Sequence, residues 1–199
     1  LIYGRNDNYK ENERLVVHIS SLLETFDEVF YLDWGSDESK GSVINEIKNQ
    51  IPHTGRLKHF VIPPSVISEC FKEIENLPPV VGCFCFNILL RRCDADWIVC
   101  TTNDIIAPNK KIFNNFLNKA DKNTFYTLSR RDIEYKDLEN KGFDNWKEYR
   151  DLLDKTSEPR YFPAKVTPSD VWSIINCCGD FQLAHKNVWH SIKGFEESM

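Results

Sequence analysis

Trp97-Ile98-Val99-Cys100-Thr101-Thr102-Asn103-Asp104-Ile105 decides the fold. Trp97 to Thr101 is an apolar, partly β-branched run of strand length. It ends on Thr102-Asn103-Asp104, polar residues that favour turns over continued strand. Upstream, Gly82 to Cys93 reads as a buried helix. Downstream, Ile112, Phe113, Phe116 and Leu117 mark another helix, and Thr124 to Ser129 another strand.

The same alternation runs back to the start of the chain. Leu1-Ile2-Tyr3 reads as a strand end and Gly4 to Asn8 as a loop. Leu15, Val16, Ile19, Leu22, Leu23 and Phe26 form the stripe of an amphipathic helix. Glu28 to Leu32 is a strand that stops at the turn-rich Asp33-Trp34-Gly35-Ser36-Asp37. Val43, Ile44, Ile47 and Ile51 suggest a short helix, and His59 to Ile62 a strand halted by Pro63-Pro64. Val66, Ile67, Cys70, Phe71 and Ile74 repeat at helical spacing. Strands separated by helical patterns predict an α/β fold with a mainly parallel central sheet. Ligands of such sheets bind outside the carboxyl ends of the strands. Three polar tips are thereby singled out: Gly4 to Asn8, Asp33 to Asp37, and Thr102 to Ile105.

A chain of 199 residues fits one domain. Its 41% hydrophobic and 28% charged residues are ordinary for a globular protein. A net charge of -5 argues against nonspecific nucleic-acid binding, which needs a basic surface. No stretch approaches the ~18 apolar residues of a membrane span. The seven cysteines lack a Cys-x-x-Cys motif. Cys83, Cys85, Cys93 and Cys100 sit in apolar sequence, where reduced thiols behave as small hydrophobes; their spacing does not suit zinc. The expected compartment is cytoplasmic, although Leu1 already reads as strand and leaves room for a targeting segment upstream. Residues 132–170 break the βα rhythm. They read as an insertion or flap, helical near Asp144 to Leu153, or as a solvated decoration.

No Gly-rich phosphate loop is present, neither Gly-x-Gly-x-x-Gly after the first strand nor Gly-x-x-x-x-Gly-Lys-Ser/Thr. An acidic strand tip that recruits Mg²⁺ or Mn²⁺ is the other way to hold a phosphate, because hard cations take carboxylate oxygens and leave positions for phosphate. Asp104, fixed at the end of its strand with Asn103 beside it, has the placement for that work.

These segments together resemble the GT-A glycosyltransferases, Rossmann-like nucleotide-diphospho-sugar transferases, closest to the inverting family-2 type and to relatives encoded by large DNA viruses. The resemblance spans nearly the whole chain except residues 132–170. In that family an Asp-x-Asp motif binds the metal and the donor diphosphate; Thr102 stands at the first acid here, so Asp104 alone carries over as the ligand. Asp33-Trp34-Gly35-Ser36-Asp37 resembles the family's turn after its second strand, which implies that Asp33 bonds the nucleotide base or ribose. Arg5-Asn6-Asp7-Asn8 is similar to the first loop lining the nucleotide pocket, and Asn87 and Arg91 correspond to a helix that could reach the donor. Gly179 to His185 with Gly194-Phe195-Glu196-Glu197 resembles the acceptor side, making Asp180, Glu196 and Glu197 the candidate catalytic bases.

The resemblance implies a metal-dependent enzyme with residues 1–131 as the nucleotide-sugar half, 132–170 as insertion and 171–199 as the acceptor side. The implied partners are a nucleotide-diphosphate sugar, with UDP-sugars favoured, and a glycan or glycoprotein acceptor. Two other readings stay open. A sugar nucleotidyltransferase shares the architecture, but opens on a Gly-rich, Arg-containing loop that Ile2-Tyr3-Gly4-Arg5-Asn6 lacks. A catalytically inactive nucleotide-sugar or glycan-binding domain accommodates Thr102. Asp33 and Asp104 could also serve merely as caps, and Asn87 could merely satisfy buried backbone.

Overall fold

The computed structural model describes residues 1–7, 11–127, 145–148, 150–151 and 181–197. Six strands occur among them: β1 (Ile2–Gly4), β2 (Val29–Trp34), β3 (Leu57–Ile62), β4 (Trp97–Thr101), β5 (Tyr126–Thr127) and β6 (Phe181–His185). The helices are α1 (Glu11–Thr25), α2 (Val43–Ile47), α3 (Pro64–Cys70), α4 (Gly82–Leu90), α5 (Lys110–Leu117) and α6 (Lys186–Ser191).

β1, β2 and β3 pair in parallel, in that order. β4, β6 and β5 form a second ladder, with β6 antiparallel to both neighbours. Leu1 joins the two: its nitrogen donates to Val99 O at 2.5 Å, and its carbonyl accepts from Thr101 N at 3.0 Å. That pair of bonds flanking one residue is the parallel pattern, so the strands run in the order β3-β2-β1-β4-β6-β5. The sheet is parallel from β3 through β2 and β1 to β4, the larger part that the sequence predicted to be parallel, and is antiparallel at β6.

Alternation along β2 divides the core. Phe30, Leu32 and Trp34 face α4 and pack with Cys85, Phe86 and Leu89. Tyr31 and Val29 face the other layer, with Leu15, Ile19 and Leu23 of α1 and Ile44 and Ile47 of α2. All six residues of β2 are buried, as befits a strand covered on both faces. Each fully buried Leu or Ile contributes about 1.5–3 kcal/mol, so these two layers fix where the tip of β2 emerges. Cys85, Cys93 and Cys100 are buried in the α4 layer, where burial pushes the Cys100 thiol up to about 12.

β4 and β6 enclose a smaller cluster of Val99, Phe113, Phe181 and Leu183. Residues 146–148 and 150–151, within the expected insertion, are helical. They dock on α1 through Glu24, which Arg150 meets at 3.3 Å and Lys147 also pairs. Trp146 is buried beside them. Apart from Asn145, the rest of residues 132–170 lies outside the described residues, as does the candidate base Asp180.

Candidate functional site

Three loops leave the carboxyl ends of β1, β2 and β4, the tips singled out by sequence. Asn6 ties the first two together. Its backbone N–H donates to Ser36 Oγ at 2.9 Å. Its side chain accepts from Asp37 N–H at 2.9 Å and donates to the Asp37 carbonyl at 2.8 Å and the Gly41 carbonyl at 2.9 Å. One amide thereby sets the spacing between two loops 31 residues apart.

Arg5 works beside it. Its guanidinium grips Asp7 with two bonds of 2.8 and 2.7 Å and donates to the Pro79 carbonyl at 3.0 Å. The Asp7 hydrogen bond raises the pKa of Arg5, and the same bond lowers that of Asp7. The Asp33 charge also acts on Arg5, so a cation stands near the β2 tip. Arg5 is predicted as a pocket residue; the structure shows it bracing the first loop and facing toward Asp33 electrostatically.

Asp33 is 2% exposed, and its Oδ1 has no hydrogen-bond partner among the described residues. A buried carboxylate oxygen without a donor is costly. A cap would have spent that oxygen on a backbone N–H, as Asp37 does: Asp37 Oδ1 accepts from Ser39 N at 2.9 Å and Ser39 Oγ at 2.6 Å. The two acids of this turn are thus distinguished, one closing a turn and one left open. Gly35 between them has φ of +65°, and a Cβ there would lie 2.6 Å from Ile67 Cδ1, so the turn relies on glycine.

Asp104 is exposed at the β4 tip and accepts a 2.6 Å bond from Thr102 Oγ1. Thr102, at the position of the first acid of an Asp-x-Asp pair, therefore orients the one carboxylate present. Arg14 of α1 reaches Asn103 Oδ1 at 3.3 Å. Behind Asp104, three polar residues of α1 hold the chain. His18 Nδ1 donates to the Ile105 carbonyl, Ser21 Oγ accepts from Ala107 N at 3.0 Å, and Thr25 Oγ1 donates to the Pro108 carbonyl at 2.7 Å. Burial lowers the His18 pKa to about 4, against the opposing effects of the Ile105 carbonyl and the Asp104 charge. Sequence reading passed over this stripe. Its signal was the spacing 18, 21, 25 on one helix face.

The helix residues Asn87 and Arg91 are used elsewhere. Asn87 Oδ1 accepts from Phe195 N at 2.8 Å, and Nδ2 donates to the Phe195 carbonyl at 2.9 Å and to Glu197 Oε1 at 2.6 Å. Arg91 pairs with the same Glu197 oxygen at 3.5 Å. Asn87, Arg91 and Glu197 thus come together as a latch on the chain after α6, whereas Arg5 and Asp33 gather at the strand tips. Glu196 is exposed next to that latch.

Asp104 offers one carboxylate, and no group of three His, Cys, Asp or Glu side chains that could hold a metal occurs among the described residues. That donor set fits a hard cation whose remaining ligands are phosphate oxygens and water, as Mg²⁺ and Mn²⁺ accept. A cavity of about 530 Å³ is lined by Leu1, Val29, Trp97 and Phe113 and extends to Thr101 at the end of β4. No described helix is long and apolar enough to cross a membrane.

No protein-family model matches the sequence, and no curated protein matches it. Among solved structures, the chain resembles the mannosyltransferase PcManGT from Pyrobaculum calidifontis, solved in complex with GDP-Man and Mn²⁺. The TM-score is 0.54 at 15% identity, covering 98% of this chain and 46% of that one. It also matches the galactosyltransferase LgtC, solved with donor and acceptor sugar analogues, at a TM-score of 0.44 and 13% identity, over 96% of this chain and 58% of that one. The first likeness shows the fold, which this chain shares with PcManGT. The chain spans less than half the length of PcManGT.

Proposed function

We propose that this chain is the nucleotide-sugar-binding and catalytic domain of a metal-dependent glycosyltransferase that moves a sugar to an acceptor hydroxyl with inversion. The observation that carries the reading is the pairing of tips. A buried carboxylate with an unpartnered oxygen, Asp33, ends β2, and an exposed, Thr102-oriented carboxylate, Asp104, ends β4, in a fold shared with a mannosyltransferase. Asp33 suits the N–H of a base or a ribose hydroxyl. Asp104 would hold Mn²⁺ or Mg²⁺ against the donor diphosphate, and the metal when bound supplies Lewis-acid neutralisation of the leaving diphosphate. Arg5 adds positive charge beside the β2 tip, and the first two loops, fixed by Asn6, hold the nucleotide in one orientation.

The acceptor proton goes to one of Asp180, Glu196 and Glu197 as general base. Of these, Glu197 is held by Asn87 and Arg91, which occupy one of its oxygens.

Thermal unfolding with GDP- and UDP-sugars, with and without Mn²⁺, tests the proposal, because a ligand selective for the folded state raises its stability. Asp104→Ala is expected to keep the fold, lose the Mn²⁺-dependent shift and lose transfer. A folded Asp104→Ala protein with full metal-dependent turnover refutes the assignment. Donor binding with no turnover, even in a longer chain, would instead favour the inactive binding domain, the reading that Thr102 keeps in view. Release of pyrophosphate from a nucleoside triphosphate and a sugar phosphate would favour the nucleotidyltransferase.

A further inference from the structure

Beside Asp33 lies a second buried polar atom that the proposed function does not use. In the parallel register of β2 and β3, Tyr31 stands opposite His59 and Asp33 opposite Val61. Alternate residues share a face, so Tyr31, Asp33, His59 and Val61 all point to the α1–α2 side. Tyr31 packs in the α1–α2 cluster, whereas Phe60 and Ile62 pack toward α4; Val61, on the outer strand, is 55% exposed. The rings of Tyr31 and His59 are 5.6 Å apart. His59 Nε2 is buried and has no partner among the described residues, as is true of Asp33 Oδ1. Two orphaned atoms of complementary kind thus occupy diagonal positions on neighbouring strands, within reach of long side chains.

We infer that His59 is a positioning residue for Asp33: its Nε2–H reaches Oδ1 of that carboxylate through a bridging water, and so fixes which way the other oxygen faces. One water between them satisfies both atoms, where its absence costs two buried groups their partners. A neutral imidazole suffices, and burial lowers the His59 pKa while the Asp33 charge opposes the fall. The groups facing His59 on this side are the Tyr31 ring and the Asp33 carboxylate, with the Arg5 guanidinium acting on Asp33 from the β1 loop. Lys58, its neighbour in sequence, lies over the Phe30 ring on the opposite face. The consequence for binding is specific: His59 touches no nucleotide, yet orientation of the base depends on it. That consequence rests on the proposed role of Asp33; the His59–Asp33 pair itself does not.

The test has one arm without ligand and one with it. Nitrogen-15 NMR of the imidazole is expected to show His59 in the Nε2–H form, with a titration midpoint that falls in Asp33→Asn. An unchanged midpoint, or an Nδ1–H form in the wild type, overturns the pair. In the second arm, calorimetry follows GDP and UDP binding to the wild type, His59→Gln and His59→Leu, each checked for folding by circular dichroism. His59→Leu is expected to bind about tenfold or more weakly, the size of one charged hydrogen bond, and His59→Gln, which keeps a donor, to recover most of the loss. Equal binding by wild type and His59→Leu overturns the positioning role. Absence of nucleotide binding by the folded wild type overturns the proposed function instead, and the NMR arm then judges the pair by itself.

Discussion

Asn6 and Asp37 exchange hydrogen bonds in both directions, the Asn6 amide accepting from the Asp37 N–H at 2.9 Å and donating to the Asp37 carbonyl at 2.8 Å. This behaves like one rung of a ladder between two loops that share no strand pairing. Asn6→Ala should lower stability by about 1–2 kcal/mol, within the range for partly buried groups left unpaired. Asn6→Asp should be worse, because a carboxylate then faces the carbonyls of Asp37 and Gly41. Urea denaturation of the three proteins checks the order; a more stable Asn6→Asp variant would remove the rung from the account.

His18 makes the fold sensitive to acid. Its pKa is about 4 when folded, below the ordinary 6.5. Above pH 6.5 both folded and unfolded chains carry it neutral, and nothing is lost. As pH falls through 6.5 the unfolded chain takes up a proton that the folded one refuses, so stability declines until about pH 4. The sum is about 3 kcal/mol at most. His18→Gln should show a shallower decline between those limits, whatever its stability at neutral pH. Parallel curves for the two proteins over that range would show that other groups carry the acid sensitivity.

Gly194 and Asn87 should fail together. Gly194 has φ of +79°, and a Cβ there would lie 2.2 Å from Asn87 Oδ1, the atom that accepts from Phe195 N–H. Gly194→Ala and Asn87→Ala should each cost about 1–3 kcal/mol. The double variant should cost clearly less than their sum, because both break one latch. Simple additivity in a double-mutant cycle would separate the two.

Trp189 anchors the same region from below. Its Nε1–H donates to the Ile98 carbonyl at 3.2 Å, and its ring stacks on Phe195 at 5.3 Å. Trp189→Phe keeps the ring contact and deletes the donor, so a loss of about 1–3 kcal/mol is expected. Intrinsic fluorescence against denaturant gives the midpoint, read through the other tryptophans. A loss below about half a kcal/mol would mean that the bond is dispensable.

The parts of the site that sequence displayed are those with local signatures. The runs ending at Asp33 and at Asp104 are apolar and stop on turn residues, so both strands and both tips could be read from neighbouring positions. β6 was harder to see as a strand: Phe181-Gln182-Leu183-Ala184-His185 is short, and its partner Trp97 to Thr101 lies far back in the chain. The polar stripe of α1 has no apolar periodicity to mark it, since His18, Ser21 and Thr25 share a face for their own reason. Asn87 shows the same limit. Nothing near it announces a partner 108 residues later.

The stitch at Leu1 has a further consequence. From β1 the chain builds outward to β2 and β3 on one flank, and then crosses back to lay β4 on the other. The loop leaving β4 therefore comes to lie against α1, the helix that follows β1, and His18, Ser21 and Thr25 hold it there. Where Asp104 stands relative to the first strand is a property of winding order. Substitutions along α1 can loosen that hold, but carrying the β4 tip to another place would take a rearrangement of strands.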